Sequence, residues 1–101
     1  KVILPNDITS SACWKVIILL KENYNREKVV RDMLSFGIQV DLAYTPSLHL
    51  QPVIMEKCNT SEGMLPITED LMSRHICLPS NQSMTDSDAR YVVEKLLDII
   101  S

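Results

Sequence analysis

The stretch "WKVIILL", residues 14–20, carries the first decisive signal for the fold. A bulky run with several β-branched residues is typical of a strand that is covered on both faces. After a short polar turn, Asn25 is a good helix N-cap, and Glu27 lies in the first turn, where the helix dipole favours a carboxylate. Apolar residues then recur at helical spacing up to Gly37, which predicts a helix over residues 26–36.

The chain downstream of this helix predicts four further segments. Apolar and polar residues alternate over 38–44, which predicts a half-buried strand. A weakly patterned stretch, 53–63, leads to Pro66, where a helix of about two turns is expected to run towards Arg74. Residues 76–78 form a short apolar segment that ends at a proline and predicts a third strand.

The last element has the clearest pattern. Thr85 and Asp88 have the spacing of a capping box at the start of a helix. One continuous apolar face follows, made by Ala89, Val92, Val93, Leu96, Leu97 and Ile100. We expect Val92, Val93 and Leu96 to be buried against the strand at residues 16–20.

The order of elements predicts the fold class. With residues 1–13 as a lead-in loop, the order is β-α-β-loop-α-β-α. This order describes a two-layer α/β (α+β) sandwich, a small sheet with helices packed on it. Its 101 residues are enough for a single domain, residues 1–101, with one core.

Composition excludes several classes of function. The chain is 46% hydrophobic and 23% charged, as globular proteins are. Its net charge of −3 argues against a nucleic-acid partner, because phosphate binding needs clustered cations. No apolar run reaches the roughly 20 residues that span a bilayer, so no membrane partner is expected. Three scattered cysteines and the absence of a secretory segment at the start predict a reduced, cytoplasmic protein.

Familiar catalytic and metal-binding patterns are missing. With two glycines there is no phosphate-cradling loop, and the histidines and cysteines lack the spacing of a zinc site, so no metal is expected. Cys77 lies in an apolar strand and is more simply a core residue than a nucleophile. His75 and the carboxylates near helix starts, Glu69 among them, are explained by helix dipoles.

The loop "PSLHLQP", residues 46–52, is the remaining candidate for function. Its two prolines stiffen the backbone and favour extended neighbours. In an extended loop the leucines would anchor it in the core, and His49 and Gln51 would face the other side. These two side chains either satisfy local backbone groups or bind a ligand, and their spacing leaves both interpretations open.

The order of motifs resembles a known family. The stretches that carry the resemblance are "ACWKVIILL", "LSFGIQV", "YTPSLHLQP", "LPITED" and "ICLPSNQSMTDSDARYVVEKLL", and they cover nearly the whole chain. Together they are similar to the C-terminal small domain of DegT/StrS-type sugar aminotransferases. These are pyridoxal-phosphate enzymes of aspartate aminotransferase fold, which make amino-sugar nucleotides from keto-sugar nucleotides for surface polysaccharides and glycosylated natural products.

The resemblance implies a piece of a larger enzyme. The lysine that binds pyridoxal phosphate would belong to a large domain of the same chain, which is therefore the expected partner, with a homodimer possible. Because the chain starts at Lys1 rather than Met, it is expected to be a piece of a longer chain. Without the cofactor-binding lysine, this piece is expected to be inactive alone. Near the active-site entrance, the resemblance implies Tyr44, His49 and Gln51 as substrate-binding residues, with a sugar nucleotide as the substrate. No catalytic or cofactor-binding residue is expected in this chain.

Two departures and two alternatives accompany this resemblance. Family members often carry His-Tyr where this chain has Ala43-Tyr44, and an aromatic residue where it has Val53-Ile54. Altered substrate contacts, an unusual sugar or a degenerate parent would each account for this. The main alternative is a ferredoxin-like regulatory or interaction module, because unrelated folds share β-α-β orders; a small hydrolase using Cys77 is a weaker one. The stretch 53–64 is the expected exposed apolar face of a fragment.

Overall fold

A computed structural model gives the fold and describes residues 2–3, 9–10 and 12–101. In chain order the elements are β1 (Val2–Ile3), β2 (Val16–Leu20), α1 (Arg26–Ser35), a 3₁₀ turn (Leu48–Leu50), α2 (Pro52–Cys58), α3 (Pro66–Arg74), β3 (His75–Leu78) and α4 (Asp86–Ile100). Residues 1, 4–8 and 11 of the predicted lead-in loop lie outside the described residues.

The described strands form one antiparallel sheet in the order β1-β2-β3. Val2 pairs with Leu20 at one edge of β2, and Ile18 pairs with Ile76 at the other. The central strand β2 therefore has neighbours on both sides, which suits its continuous apolar sequence.

Helices α1 and α4 cover one face of this sheet and form the core with it. The buried cluster combines Ile18, Leu20 and Ile76 of the sheet with residues of both helices: Val29, Met33, Val92, Leu96 and Ile100. The Tyr24 hydroxyl donates to the Ile100 carbonyl at 2.7 Å and joins the start of α1 to the end of α4. The predicted two-layer α+β architecture is confirmed.

Helix boundaries follow the capping signals. Asn25 accepts a hydrogen bond from the Lys28 amide at 2.8 Å, and α1 begins at the next residue. Thr85 and Asp88 form the complete capping box of α4. Pro66 occupies the first turn of α3, which ends at Arg74 as predicted.

The predicted strand over residues 38–44 is wrong. Ile38 is buried, and Val40 and Leu42 are half-buried, so the alternation does place apolar side chains against the core. However, only Asp41 pairs with a strand, through two backbone hydrogen bonds to Cys77 of 2.8 and 2.9 Å. The segment ends at Tyr44 with a left-handed φ of 50°, a backbone conformation that a strand cannot continue through.

Three smaller expectations also differ. The stretch 53–63 contains α2, which begins at Pro52, and β1 lies within the predicted lead-in loop. Val93 is 48% exposed, whereas its neighbours on the predicted face, Val92 and Leu96, are buried as expected. A fifteen-residue helix packed on a single layer buries a narrower stripe than the sequence face suggested.

Within the described residues, no helix is long and apolar enough to cross a membrane. Over that same part of the chain, no group of three or more His, Cys, Asp or Glu side chains could hold a metal ion.

Candidate functional site

The proline-bracketed loop forms a helical turn rather than an extended segment. Leu48–Leu50 make one 3₁₀ turn, and Pro52 starts α2. Gln51, which precedes this proline, has the extended backbone expected there, with φ −69° and ψ 133°.

This turn reverses the expected orientation of the loop side chains. Leu48 is 64% exposed and His49 only 7%, so the histidine, not this leucine, anchors the loop in the protein. The cause is the backbone conformation: successive side chains rotate by about 120° in a 3₁₀ turn instead of alternating at 180°. The expectation for Leu48 and His49 was therefore wrong.

Glu69 holds His49 in place. The carboxylate lies 2.9 Å from His49 Nε2 and also accepts hydrogen bonds from the Gly63 amide, at 2.9 Å, and the Leu65 amide, at 3.3 Å. The histidine hydrogen bond is the main cause that lowers the pKa of Glu69, and the Gly63 amide adds to it. One carboxylate thus joins the loop, the α2–α3 connection and the first turns of α3.

The other polar groups of the loop also have partners inside the chain. Gln51 Nε2 donates to the Pro46 carbonyl at 2.6 Å and closes the loop on itself. The Thr60 hydroxyl donates to the His49 carbonyl, also at 2.6 Å. The loop is therefore held by three independent side-chain contacts as well as by its prolines.

A polar hollow of about 240 Å³ lies beside this loop. Its lining combines the loop with α1 and α3: Arg26, Thr45, Pro46, Ser47, Leu50, Glu62, Glu69, Met72 and Ser73. The hollow mixes hydroxyl, carboxylate and guanidinium groups, a set that can both donate to and accept from a hydroxylated molecule.

Arg26 lines this hollow and has unused hydrogen-bonding capacity. Its Nη1 donates to the Met72 carbonyl at 2.7 Å, and its Nη2 lies 3.4 Å from Glu27. Its Nε is buried and has no hydrogen-bond partner within the described part of the chain. A buried donor without an acceptor is costly. An oxygen atom of a bound molecule would relieve this cost once the Arg26 side chain turned its Nε towards the hollow.

The sequence interpretation missed Arg26 and Glu69. Arg26 did offer a signal, because a cation at the first position of a helix opposes the helix dipole and calls for another reason to be there. Glu69 offered none, since a carboxylate in a first helical turn has a sufficient explanation in the dipole. Its partner His49 is twenty residues away.

The three predicted substrate-binding residues lie on one segment but face different surroundings. Neither His49 nor Gln51 is part of the lining of the polar hollow. Tyr44 is 69% exposed and lines a separate apolar groove with Ile3, Ile17, Leu19, Ala43, Leu71, Met72 and His75.

The described residues of this chain do not fit pyridoxal phosphate. Such a site needs an enclosed lysine amine and donors for a phosphate. Lys15 is paired with Asp41, Lys28 with Asp32 at 2.5 Å, and Lys95 lies above the rings of Phe36 and Tyr91. The remaining described lysines, Lys21 and Lys57, are exposed. No lysine in the described ranges lines the polar hollow.

Comparison with known proteins identifies the protein family of this chain. The family model of the DegT/DnrJ/EryC1/StrS aminotransferase family matches residues 2–97. The chain therefore belongs to this aminotransferase family, as the motif order predicted. No curated protein sequence matches.

Two solved structures that resemble the chain are aminotransferases. One is the aminotransferase TlmJ from Streptoalloteichus hindustanus, with 22% identity, a TM-score of 0.77 and coverage of 98% of this chain and 26% of that one. Another, from Bacillus cereus ATCC 10987, is assigned to the PLP-dependent aminotransferases, with 26% identity, a TM-score of 0.69 and coverage of 81% and 22%. The chain thus spans about a quarter of the length of the structures it matches.

Proposed function

We propose that this chain is the C-terminal small domain of a pyridoxal-phosphate-dependent aminotransferase that acts on keto-sugar nucleotides. The family match over residues 2–97 supports the enzyme class, and the quarter-length coverage of two aminotransferases supports a larger partner domain. The cofactor, which serves as an electron sink in such enzymes, would be held by that partner domain.

The observation that carries the substrate assignment is the polar hollow with its unpaired Arg26 Nε. Sugar hydroxyls both accept and donate hydrogen bonds, so one can accept from Arg26 while another donates to Glu62. The hollow holds two carboxylates and one cation, which disfavours phosphate there. In this proposal the hydroxylated part of the substrate enters the hollow, and its phosphates lie against cations outside this chain.

The loop residues complete the proposed substrate side. Tyr44, with its ring largely exposed, contacts the substrate directly at the edge of the loop. His49 and Gln51 contribute to substrate binding through the loop that they hold, because their side chains are bonded to Glu69 and to the Pro46 carbonyl. In amino-sugar synthesis for surface polysaccharides, such an enzyme would work in the cytoplasm.

The decisive experiment uses the full-length enzyme that contains this chain. Arg26→Gln should raise KM for a keto-sugar nucleotide about tenfold or more, as expected for a lost charge-assisted hydrogen bond. Cofactor absorbance and kcat should change little, because the lost contact binds the ground state and the transition state equally. Arg31→Gln, an exposed position on the same helix, is the matched control. Unchanged KM in Arg26→Gln would refute the role of the hollow.

Two companion variants test the loop. His49→Ala and Gln51→Ala should weaken substrate use while cofactor uptake is preserved. If both kept wild-type kinetics and lost only stability, these side chains would be purely structural.

A second experiment tests the domain assignment on the chain alone. We expect no transaminase turnover and no borohydride-reducible adduct with pyridoxal phosphate at any single lysine, because the described lysines are exposed or paired with surface groups. A stoichiometric adduct at one lysine would contradict the assignment of the cofactor site to another domain.

The ferredoxin-like alternative gains no support from the comparisons. The family model that matches residues 2–97 is that of an aminotransferase family. The two solved structures described above are also aminotransferases.

A further inference from the structure

The sheet face opposite α1 and α4 carries an apolar groove of about 420 Å³. Ile17 and Leu19 of β2 and His75 of β3 share this face of the sheet, and Ile3, Tyr44 and Leu71 are among the residues around them. Tyr44 and Met72 also line a second, smaller apolar hollow with Leu48, so the two are adjacent. The volume is that of a typical binding site for a small molecule or a large side chain.

His75 is the polar exception in this groove, and its hydrogen bond fixes the tautomer of the neutral ring. The residue is 3% exposed, and its Nδ1 lies 2.8 Å from the Met72 carbonyl oxygen. A carbonyl only accepts, so Nδ1 carries the hydrogen, and in the neutral ring Nε2 is an acceptor. This Nε2 is buried and has no hydrogen-bond partner among the described residues.

An apolar groove with one unused acceptor defines the chemistry of its occupant. A purely aliphatic group would fill the volume but leave Nε2 unpaired, at the cost of a buried polar group without a hydrogen bond. A charged group would be desolvated against Ile17, Leu19 and Leu71 without an opposite charge. An aromatic ring that carries one O–H or N–H donor meets both requirements.

We propose that this groove receives a tyrosine or tryptophan side chain from the remainder of the enzyme, with the ring donor bonded to His75 Nε2. The inference rests on the proposed function, because the chain spans about a quarter of the aminotransferases it matches and so leaves most of an enzyme to provide the occupant. Met72 lines the groove beside His75, and its flexible side chain can move to let a donor reach the ring nitrogen.

The test uses the 101-residue chain with ¹⁵N-labelled histidine and side-chain mimics as probes. p-Cresol, the tyrosine mimic, should bind and shift the His75 Nε2 resonance. Toluene, which has the same ring without the donor, should bind roughly two- to tenfold more weakly, the range of one neutral hydrogen bond. His49 is bonded to Glu69 outside the groove, and its resonances should stay in place.

A pair of variants ties the binding to the groove. Leu71→Lys places a charge at its wall and should abolish p-cresol binding. Leu97→Lys, at an exposed leucine of α4, should leave binding unchanged. The folding of each variant is checked first by comparing its circular dichroism spectrum with that of the wild type. If Leu71→Lys unfolds, Leu71→Ala is used in its place and should weaken p-cresol binding.

Three results with the 101-residue chain would overturn the proposal: equal affinity for p-cresol and toluene, a shift of both histidines, or unchanged binding in Leu71→Lys. Because no turnover is measured, these outcomes are independent of the kinetic test of Arg26. A fourth result, with the full-length enzyme, would also overturn it. If p-cresol bound that enzyme as tightly as the 101-residue chain, the rest of the enzyme would be leaving the groove empty.

Discussion

Ile17 and Ile18 are neighbours on β2 and face opposite sides of the sheet. Ile18 is 2% exposed beneath α1 and α4, whereas Ile17 is 41% exposed in the apolar groove. Both residues belong to one continuous apolar run, which is typical of a strand covered on both faces. Within the described residues α1 and α4 cover one of these faces, and the other carries the open groove that we propose receives an aromatic side chain.

The largest expected effect tests this contrast directly. Ile18→Ala removes side-chain volume from the closed core and should lower the free energy of unfolding by about 2–5 kcal/mol. Ile17→Ala, the same substitution one residue away, should cost clearly less because much of that side chain is already in contact with water. Chemical denaturation of both variants measures the difference. Equal losses would mean that the groove is closed in solution.

The next effect concerns the helix that closes the covered face. Thr85→Ala removes the hydroxyl that accepts from the Asp88 amide at 3.1 Å and should cost about 1 kcal/mol. Thr85→Ser retains a capping hydroxyl and should recover most of that loss. If Thr85→Ala were neutral in thermal denaturation, the capping box would not limit the stability of α4.

A smaller effect is expected at the loop, and it depends on pH. The pKa of Glu69 lies below its ordinary value of 4.5 in the folded protein. Ionised Glu69 therefore stabilises the fold above that ordinary value, and this contribution disappears as the pH falls through the lower folded pKa. Glu69→Gln should destabilise the protein at neutral pH and flatten this part of the acid-unfolding curve.

The control for this prediction is Glu94→Gln on the exposed side of α4. It makes the same change in net charge without touching the loop. Parallel acid-unfolding curves for wild type and Glu69→Gln would show that the contact with His49 does not depend on the charge of Glu69.

The smallest effect is weak self-association of the isolated chain at high concentration. An uncovered apolar face favours such contacts. Ile17→Lys should reduce the association in sedimentation experiments, whereas Val93→Lys, at an exposed position on the helical side, should not. Loss of association in Val93→Lys alone would mean that α4 mediates the self-association.

The stretch 53–64 stays a second candidate for the self-association surface, because Val53, Met55 and Met64 are exposed.

Several elements were predictable because their signals are local. The N-caps at Asn25 and Thr85 bond to amides three residues away, so short windows of sequence contain the whole interaction. The prediction of a strand at residues 38–44 failed because strand formation depends on a partner that is distant in sequence. Its alternation correctly marked buried side chains, but a strand also needs a neighbour, and the adjacent β3 pairs with it only at Asp41.

The candidate site was predictable as a loop but not as a set of contacts. The family resemblance pointed to the loop around His49, and the prolines predicted its stiffness. The 3₁₀ turn at residues 48–50 then decided which side chains face inward. Because successive side chains rotate by about 120° in this turn instead of 180°, His49 is buried and Leu48 is exposed. Arg26 enters the site from another element, next to Ser73 of α3 and the loop, which no local pattern encodes.

The sequence by itself predicted the first helix to within one residue of its observed end, the helices towards Arg74 and from Thr85, and the central strand. It also predicted the family to which the chain belongs. These features were predictable because hydrophobic periodicity, capping residues and motif order can be read directly along the sequence. Only the tertiary structure decided that His49 bonds to Glu69, that Arg26 Nε and His75 Nε2 lack partners among the described residues, and that one face of the sheet carries an open groove. These features depend on distances between residues far apart in sequence, which arise only when the elements pack.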